Sequence, residues 1–170
     1  MKTSLFLIIA FFAQNIFAQT PEQKLQELNI VLPPVSKPVA NYVKFVKTGN
    51  LIFLSGHGPQ KTDGTYITGK LGANLTIEEG YAAARQTAIN LLATLKDAIG
   101  DLNKVKRIVK VLGMVNGTDS FTDQPKVING FSDLIVAVFG EKGKHARSAV
   151  GMSSLPLGMC VEIEMVVELE

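Results

Sequence analysis

The order of apolar and polar positions is clearest at the end of the chain. From Val161 to Leu169 the apolar residues Val161, Ile163, Met165, Val167 and Leu169 alternate with Glu162, Glu164 and Glu168. A period of two marks a strand with one buried and one polar face. "ARSAVGMSS" precedes it across an "LPLG" turn, and the two segments read as a terminal hairpin. Nearer the start, "NYVKFVKTG" and "NLIFLSG" are rich in β-branched and aromatic residues. Turn-forming Thr48-Gly49-Asn50 joins them, which predicts a second hairpin. In "KVKRIVKVLGMVNG", Lys104, Lys106 and Lys110 alternate with Val105, Val109 and Val111, predicting a fifth strand.

Two segments change period. Thr76 and Glu79 form a capping box, and Ile77, Tyr81, Ala84, Ala88, Leu91 and Leu95 recur at helical spacing up to Gly100. A second helix is predicted from about Thr122 to Phe139, with a stripe of Val127, Ile128, Phe131, Leu134, Ile135 and Val138. Pro125 falls in its first turn, where a missing N–H does no harm. A short helix in "PEQKLQELNI" places Leu25 and Leu28 on one face, and the prolines of "VLPPVSKPVA" then break regular structure. The Gly-rich "GHGPQKTDGTYITGKLG" predicts a long loop with a short strand at Tyr66–Thr68.

The predicted order is ββ-α-β-α-ββ, an α+β domain with two helices packed on one face of a single mixed sheet. Right-handed connections return the chain to the same side after each helix. The other sheet face is left uncovered. It would carry Glu162, Glu164 and Glu168 together with apolar Ile108, Leu112 and Val166, so an oligomer is expected to cover it.

The first residues, "MKTSLFLIIAFFAQNIFAQT", have one early cation, Lys2, an apolar run from Leu5 to Ala13, and small Ala18 before Gln19. The run is too short to span a bilayer and has the flanks of a secretory signal. Residues 1–18 are therefore expected to be a signal peptide and 19–170 the folded domain. That implies a periplasmic or secreted product with no stable membrane anchor after cleavage. The net charge of +2 argues against a nucleic-acid footprint, which is normally strongly basic. A single cysteine, Cys160, permits no intrachain disulfide and reads as core packing. Two isolated histidines with one cysteine cannot close a zinc site, and no phosphate loop or dinucleotide fingerprint is present.

What remains is a small set of polar residues. If the terminal hairpin turns near Leu155-Pro156, Arg147 faces Glu162 to Glu164 on the neighbouring strand. The pair reads either as an exposed cross-strand ion pair or as a site that holds an anionic substrate. Ser55-Gly56 ends a strand, where small residues let a ligand approach the backbone closely; a plain strand-ending turn fits the same residues. His57 is a lone histidine in a Gly-rich loop, and His145 is expected to be solvated.

Three stretches, "NYVKFVKTGNLIFLSGHGP", "FTDQPKVINGFSDLIVAVFG" and "ARSAVGMSSLPLGMCVEIEMVVEL", together resemble the RidA/YjgF family, also called L-PSP endoribonucleases. The likeness is to its chorismate mutase-like branch and runs from Pro21 to Glu170. It implies a homotrimer with three clefts between subunits. In deaminase members the arginine matching Arg147 clamps a substrate carboxylate, and the glutamate matching Glu162 positions or activates the water that attacks an imine carbon. Tyr42 matches an aromatic lining the cleft, Ser55 and Gly56 a loop that contacts ligand, and Asn129 a polar residue reaching in from the second helix. Ala149 stands where many members have a cysteine whose backbone faces the substrate, and His57 where they have glutamine.

The implied function is hydrolysis of small 2-imino or 2-enamino carboxylates to 2-oxo acids and ammonia. It would need no metal or organic cofactor. The alternatives are a non-catalytic trimer that binds small carboxylates or a protein partner, and endoribonuclease-type RNA cleavage. Chorismate mutation fits least, because a dianionic substrate wants more than one positioned cation and only Arg147 can be placed.

Overall fold

The computed structural model describes residues 19–35 and 41–170; the expected signal segment lies outside the described residues. A short helix, α1 (Pro21–Glu27), is followed by β1 (Phe45–Thr48) and β2 (Leu51–His57). Then come α2 (Ile77–Ile99), β3 (Val105–Asn116), α3 (Gln124–Phe139), β4 (Ala146–Met152) and β5 (Val161–Leu169). The five strands form one mixed sheet in the order β1-β2-β5-β3-β4. This is the expected α+β arrangement, with α1 as a third helix.

The helix signals act as read. Thr76 Oγ1 accepts from the Glu79 N–H, and Glu79 Oε2 accepts from the Thr76 N–H, so two otherwise orphan amides at the start of α2 are satisfied. Gly100 ends that helix at φ +77°, a conformation that costs glycine little. In α1 only Leu25 is buried, and Leu28 is 38% exposed. Helix α1 is tied down instead by Glu22, whose carboxylate accepts from Lys96 Nζ at 2.6 Å and from the Leu102 N–H at 3.0 Å.

Strand β5 arrives last and takes the middle of the sheet. It runs antiparallel to both β2 and β3, filling the slot between them. Val161, Ile163, Met165, Val167 and Leu169 are all buried beneath the helices. Each such side chain contributes roughly 1.5–3 kcal/mol by leaving water, which makes this strand the keel of the core. Its glutamates go to the uncovered face.

The terminal hairpin is not formed. β4 pairs parallel with β3, and its partners are set by the α3 crossover: Val111↔Arg147, Leu112↔Ser148, Gly113↔Ala149. β3 therefore lies between β4 and β5. The connection over residues 153–160 is longer than a tight hairpin loop, and β4 carries too few large apolar side chains for a central position. Two smaller expectations also change. The register of β3 shifts between Val105 and Arg107 and again between Ile108 and Lys110. Ile108 thus turns inward opposite Val167 and is fully buried, not on the open face. The expected strand at Tyr66–Thr68 is reduced to isolated bridges, Gln60↔Tyr66 and Thr68↔Met159.

His57 also belongs to the core and not to a loop. A bulge between Leu54 and His57 turns the ring under the helices. Its Nδ1 donates to the Ser55 carbonyl at 2.7 Å, and its Nε2 accepts from Thr94 Oγ1 of α2 at 2.8 Å. Burial, with Lys44 adding to it, lowers the imidazole pKa to about 4 from an ordinary 6.5.

Two measurements check this packing. At Gly130, on α3, a Cβ would overlap the backbone carbonyl oxygen of Tyr81 on α2. Backbone cannot rotate away as a side-chain end can, so Gly130→Ala should cost about 2–3 kcal/mol in urea denaturation. His57 sets the second expectation. The ring is neutral when folded, and the unfolded chain takes up its proton first as pH falls below about 6.5. Its contribution is complete above that pH and is lost on the way down to about 4. Between about pH 7 and pH 5 the loss should be on the order of 2 kcal/mol, and His57→Gln should show a flatter profile.

Candidate functional site

The expected site residues fall into two groups, one on each side of the sheet. The first surrounds Glu162, which lies opposite Met114 on β3 and faces away from the helices, between buried Val161 and Ile163. Gly56 on β2 lies directly against it: a Cβ at that position would overlap Glu162 Oε1. Glycine is what lets the carboxylate sit close to the β2 backbone. Partial burial, with the neighbouring Glu164 charge adding to it, raises the Glu162 carboxyl above its ordinary range.

Ser55 joins the same group, but its donors are used. Its N–H goes to the Lys44 carbonyl at 2.9 Å and its hydroxyl donates to the Val43 carbonyl at 2.7 Å. Only the hydroxyl lone pairs remain for a ligand. These bonds tie Ser55 to the segment that follows Tyr42, which is half exposed three residues before β1. Ser55, Gly56 and Glu162 thus share the open side of the β2-β5 pair, and Tyr42 is exposed in the segment leading into β1. A shallow depression on this open face is lined by Val46, Phe53, Ser55, Leu112, Glu164 and Val166.

The second group surrounds Arg147. As the parallel partner of inward-facing Val111, it points to the helix side of the edge strand β4. Its Nη1 donates to Asn129 Oδ1 at 2.9 Å and to Ser132 Oγ at 3.0 Å, both on α3. The adjacent Ser148 faces the other way and accepts from Lys110 Nζ at 3.0 Å. Ala149, paired with Gly113, shares the Arg147 side and packs against the core. Because β4 is an edge strand, one row of its backbone amides and carbonyls has no ladder partner among the described residues.

Arg147 and Glu162 are therefore not cross-strand neighbours. β3 separates their strands, and their side chains leave opposite faces of the sheet. Within one chain, Asn129, Arg147 and Ala149 group on the helix side of the sheet, and Ser55, Gly56 and Glu162 on the open side. His57 belongs to neither, since its ring is turned into the core.

Two residues beside Arg147 were not anticipated. Ser132 is half-buried and bridges Arg147 to His145, whose Nε2 lies 3.1 Å from Ser132 Oγ. His145 is not simply solvated: its Nδ1 contacts the Gly143 carbonyl at 2.7 Å, and its ring meets Phe131 edge-on at 6.1 Å. Asn129 and Ser132, three residues apart on one helix face, were the available signal. Among the described residues no group of three or more histidine, cysteine, aspartate or glutamate side chains could hold a metal ion.

Known proteins share this architecture along most of the chain. The family model described as "YjgF/chorismate_mutase-like, putative endoribonuclease" matches residues 22–169. Protein TCP17 of Trypanosoma cruzi is 49% identical over 146 residues, covering 85% of this chain and 91% of that protein. The crystal structure of Atu1372, a protein "with unknown function" from Agrobacterium tumefaciens, is 42% identical with a TM-score of 0.82, covering 89% of this chain and 94% of the other. That of "a putative endoribonuclease" from Shewanella oneidensis MR-1 is 35% identical with a TM-score of 0.85, covering 89% of this chain and all of the other. The same strands and helices, matched across nearly the whole length, place the chain in the RidA/YjgF family.

Proposed function

We propose that the protein is a homotrimer whose intersubunit clefts hydrolyse small 2-imino or 2-enamino carboxylates to 2-oxo acids and ammonia. The observation that carries this reading is the division of the site. One half offers a guanidinium and the other a carboxylate of raised pKa, and a single chain cannot bring them together. A cleft between two copies can, with Asn129, Arg147 and Ala149 from one and Tyr42, Ser55, Gly56 and Glu162 from the next.

The open face supports self-association. Val46, Phe53 and Val166 form a continuous apolar row across β1, β2 and β5, and Val46 and Phe53 are 55% and 43% exposed. Large apolar side chains in one patch mark a surface that another molecule covers. The same face carries Glu162, Glu164 and Glu168 beside Lys106 and Lys110, a mixed surface and not the strongly basic footprint a polyanion such as RNA calls for.

In the proposed reaction, Arg147 holds the substrate carboxylate. Nη1 is committed to Asn129 and Ser132. Among the described residues, Nη2 and Nε donate to nothing and can bind the two carboxylate oxygens side by side. An enamine first gains a proton at carbon to become the imine. Glu162, ionised, accepts a proton from water as the water oxygen bonds to the imine carbon. Glu162 returns that proton to the nitrogen to give a carbinolamine; the hydroxyl proton then passes to the nitrogen as the C–N bond breaks, so that ammonia leaves and a carbonyl remains. A carboxylate with a raised pKa suits this exchange, because it takes a proton from water more readily than an exposed carboxylate does and its pKa lies closer to the working pH. Export of the domain after removal of residues 1–18 is part of the same proposal.

Ammonia release from an imine generated by an amino-acid oxidase tests the chemistry. The wild type should accelerate release, and Arg147→Ala should lower kcat/KM roughly a hundredfold, the scale of a lost hydrogen-bonded charge pair. A wild type indistinguishable from Arg147→Ala would remove the enzymatic claim. A second experiment addresses the divided site. Arg147→Ala and Glu162→Gln should each be strongly impaired alone, yet regain activity when unfolded together and refolded as mixed oligomers. Mixed oligomers that stay inactive would mean that the two residues do not meet across a subunit boundary.

A further inference from the structure

The carboxylate clamp described above depends on which way the Arg147 guanidinium points. An exposed arginine has several freely rotating bonds and no preferred direction. Here its Nη1 is fixed by two acceptors, Asn129 Oδ1 at 2.9 Å and Ser132 Oγ at 3.0 Å. Asn129 is exposed, whereas Ser132 is half-buried, so the serine is the better-shielded anchor.

The Ser132 hydroxyl has its own partner. The Gly143 carbonyl can only accept, so His145 Nδ1, 2.7 Å away, carries a proton. The ring is also partly buried beside the Arg147 cation, which pushes its pKa below the ordinary histidine value and keeps it neutral at pH 7. Its Nε2 is then a lone pair 3.1 Å from Ser132 Oγ. The serine proton must point to Nε2, which turns the oxygen lone pairs toward the guanidinium. The bonds run in one direction: Arg147 N–H to Ser132, Ser132 O–H to His145, His145 N–H to the Gly143 carbonyl. Phe131 holds the imidazole from the side. The other charges nearby are engaged elsewhere: Lys144 pairs with Glu141 at 2.7 Å, and Asp133 accepts from Tyr81 Oη at 2.9 Å.

We infer that Ser132 and His145 are positioning residues that aim the Arg147 guanidinium, the serine as a directed acceptor and the neutral imidazole as the group that directs it. The inference rests on the carboxylate-clamp reading of Arg147. It assigns a task to two residues that touch no substrate in that reading. It also explains why a histidine stands two positions before the arginine: it sits at the turn leaving α3, where it reaches back to the helix that supplies Asn129.

The test uses the full-length exported domain and titrates 2-oxobutanoate by calorimetry, alongside imine hydrolysis. Ser132→Ala should weaken 2-oxobutanoate binding and raise KM about tenfold, with kcat within about twofold, the effect of one lost hydrogen bond to a charged group. Ser132→Thr keeps the hydroxyl and should restore binding. His145→Phe preserves the ring packed on Phe131 and should give a similar loss. The double variant should lose little more than either single one, because both act through the same bond. Thermal midpoints should stay close to wild type. Wild-type binding that Ser132→Ala leaves unchanged would overturn this inference while leaving the clamp intact. So would a loss that Ser132→Thr fails to rescue. Absence of wild-type binding would remove the clamp and this inference together.

Discussion

The fold depends on one strand finding the centre of the sheet. β5 is the last element made, yet its five inward apolar side chains complete the surface on which α2 and α3 rest. Its antiparallel pairing with both β2 and β3 joins two parts of the chain that would otherwise be separate units. Because side chains alternate along a strand, seating those five inward commits the intervening glutamates outward. The position of Glu162 is thus a consequence of core packing. So is its distance from Arg147, since a central β5 leaves only the far edge, beyond β3, for β4.

Much of this was legible in the chain. Period-two and period-3.6 segments are long here, and the capping box and the glycine at the end of α2 sit where backbone chemistry requires them. Local spacing could not reveal pairing. β4 and β5 are neighbours in sequence, and a hairpin is the economical guess, but the α3 crossover brings β4 beside β3 in parallel. The register shifts in β3 are equally silent, because an irregular residue counts like any other until its partner strand is known. Ile108 was placed on the wrong face for that reason.

The histidines show a further limit. The sequence reads His57 as a lone loop histidine and His145 as solvated, because nothing near either in sequence could bind it. The partner that defines His57 is Thr94 on α2, and the one that defines His145 is Ser132 on α3. Such contacts arise only when a helix docks on the sheet. The two rings end in similar arrangements, Nδ1 donating to a backbone carbonyl two residues before and Nε2 receiving a hydroxyl proton. One lies in the core and the other beside the candidate cation. The same bonding pattern therefore serves packing in one place and, on the inference drawn above, aim in the other.

The division of the site also has an electrostatic logic. A carboxylate and a guanidinium buried together in one chain would satisfy each other and leave little for a ligand. Here each is held near protein but not against the other. Arg147 is anchored through a single nitrogen, and Glu162 is partly desolvated, with the Glu164 charge beside it adding to the rise in its pKa. In the proposed oligomer, bringing the two halves together across a subunit boundary would leave a gap between opposite charges, which a small acid with an electrophilic carbon next to its carboxylate would fill. The carboxylate then neutralises the cation, and the carbon is presented to the base. On the proposed function, a site divided in this way would be idle in a lone copy and competent only in the oligomer that covers the apolar row of Val46, Phe53 and Val166.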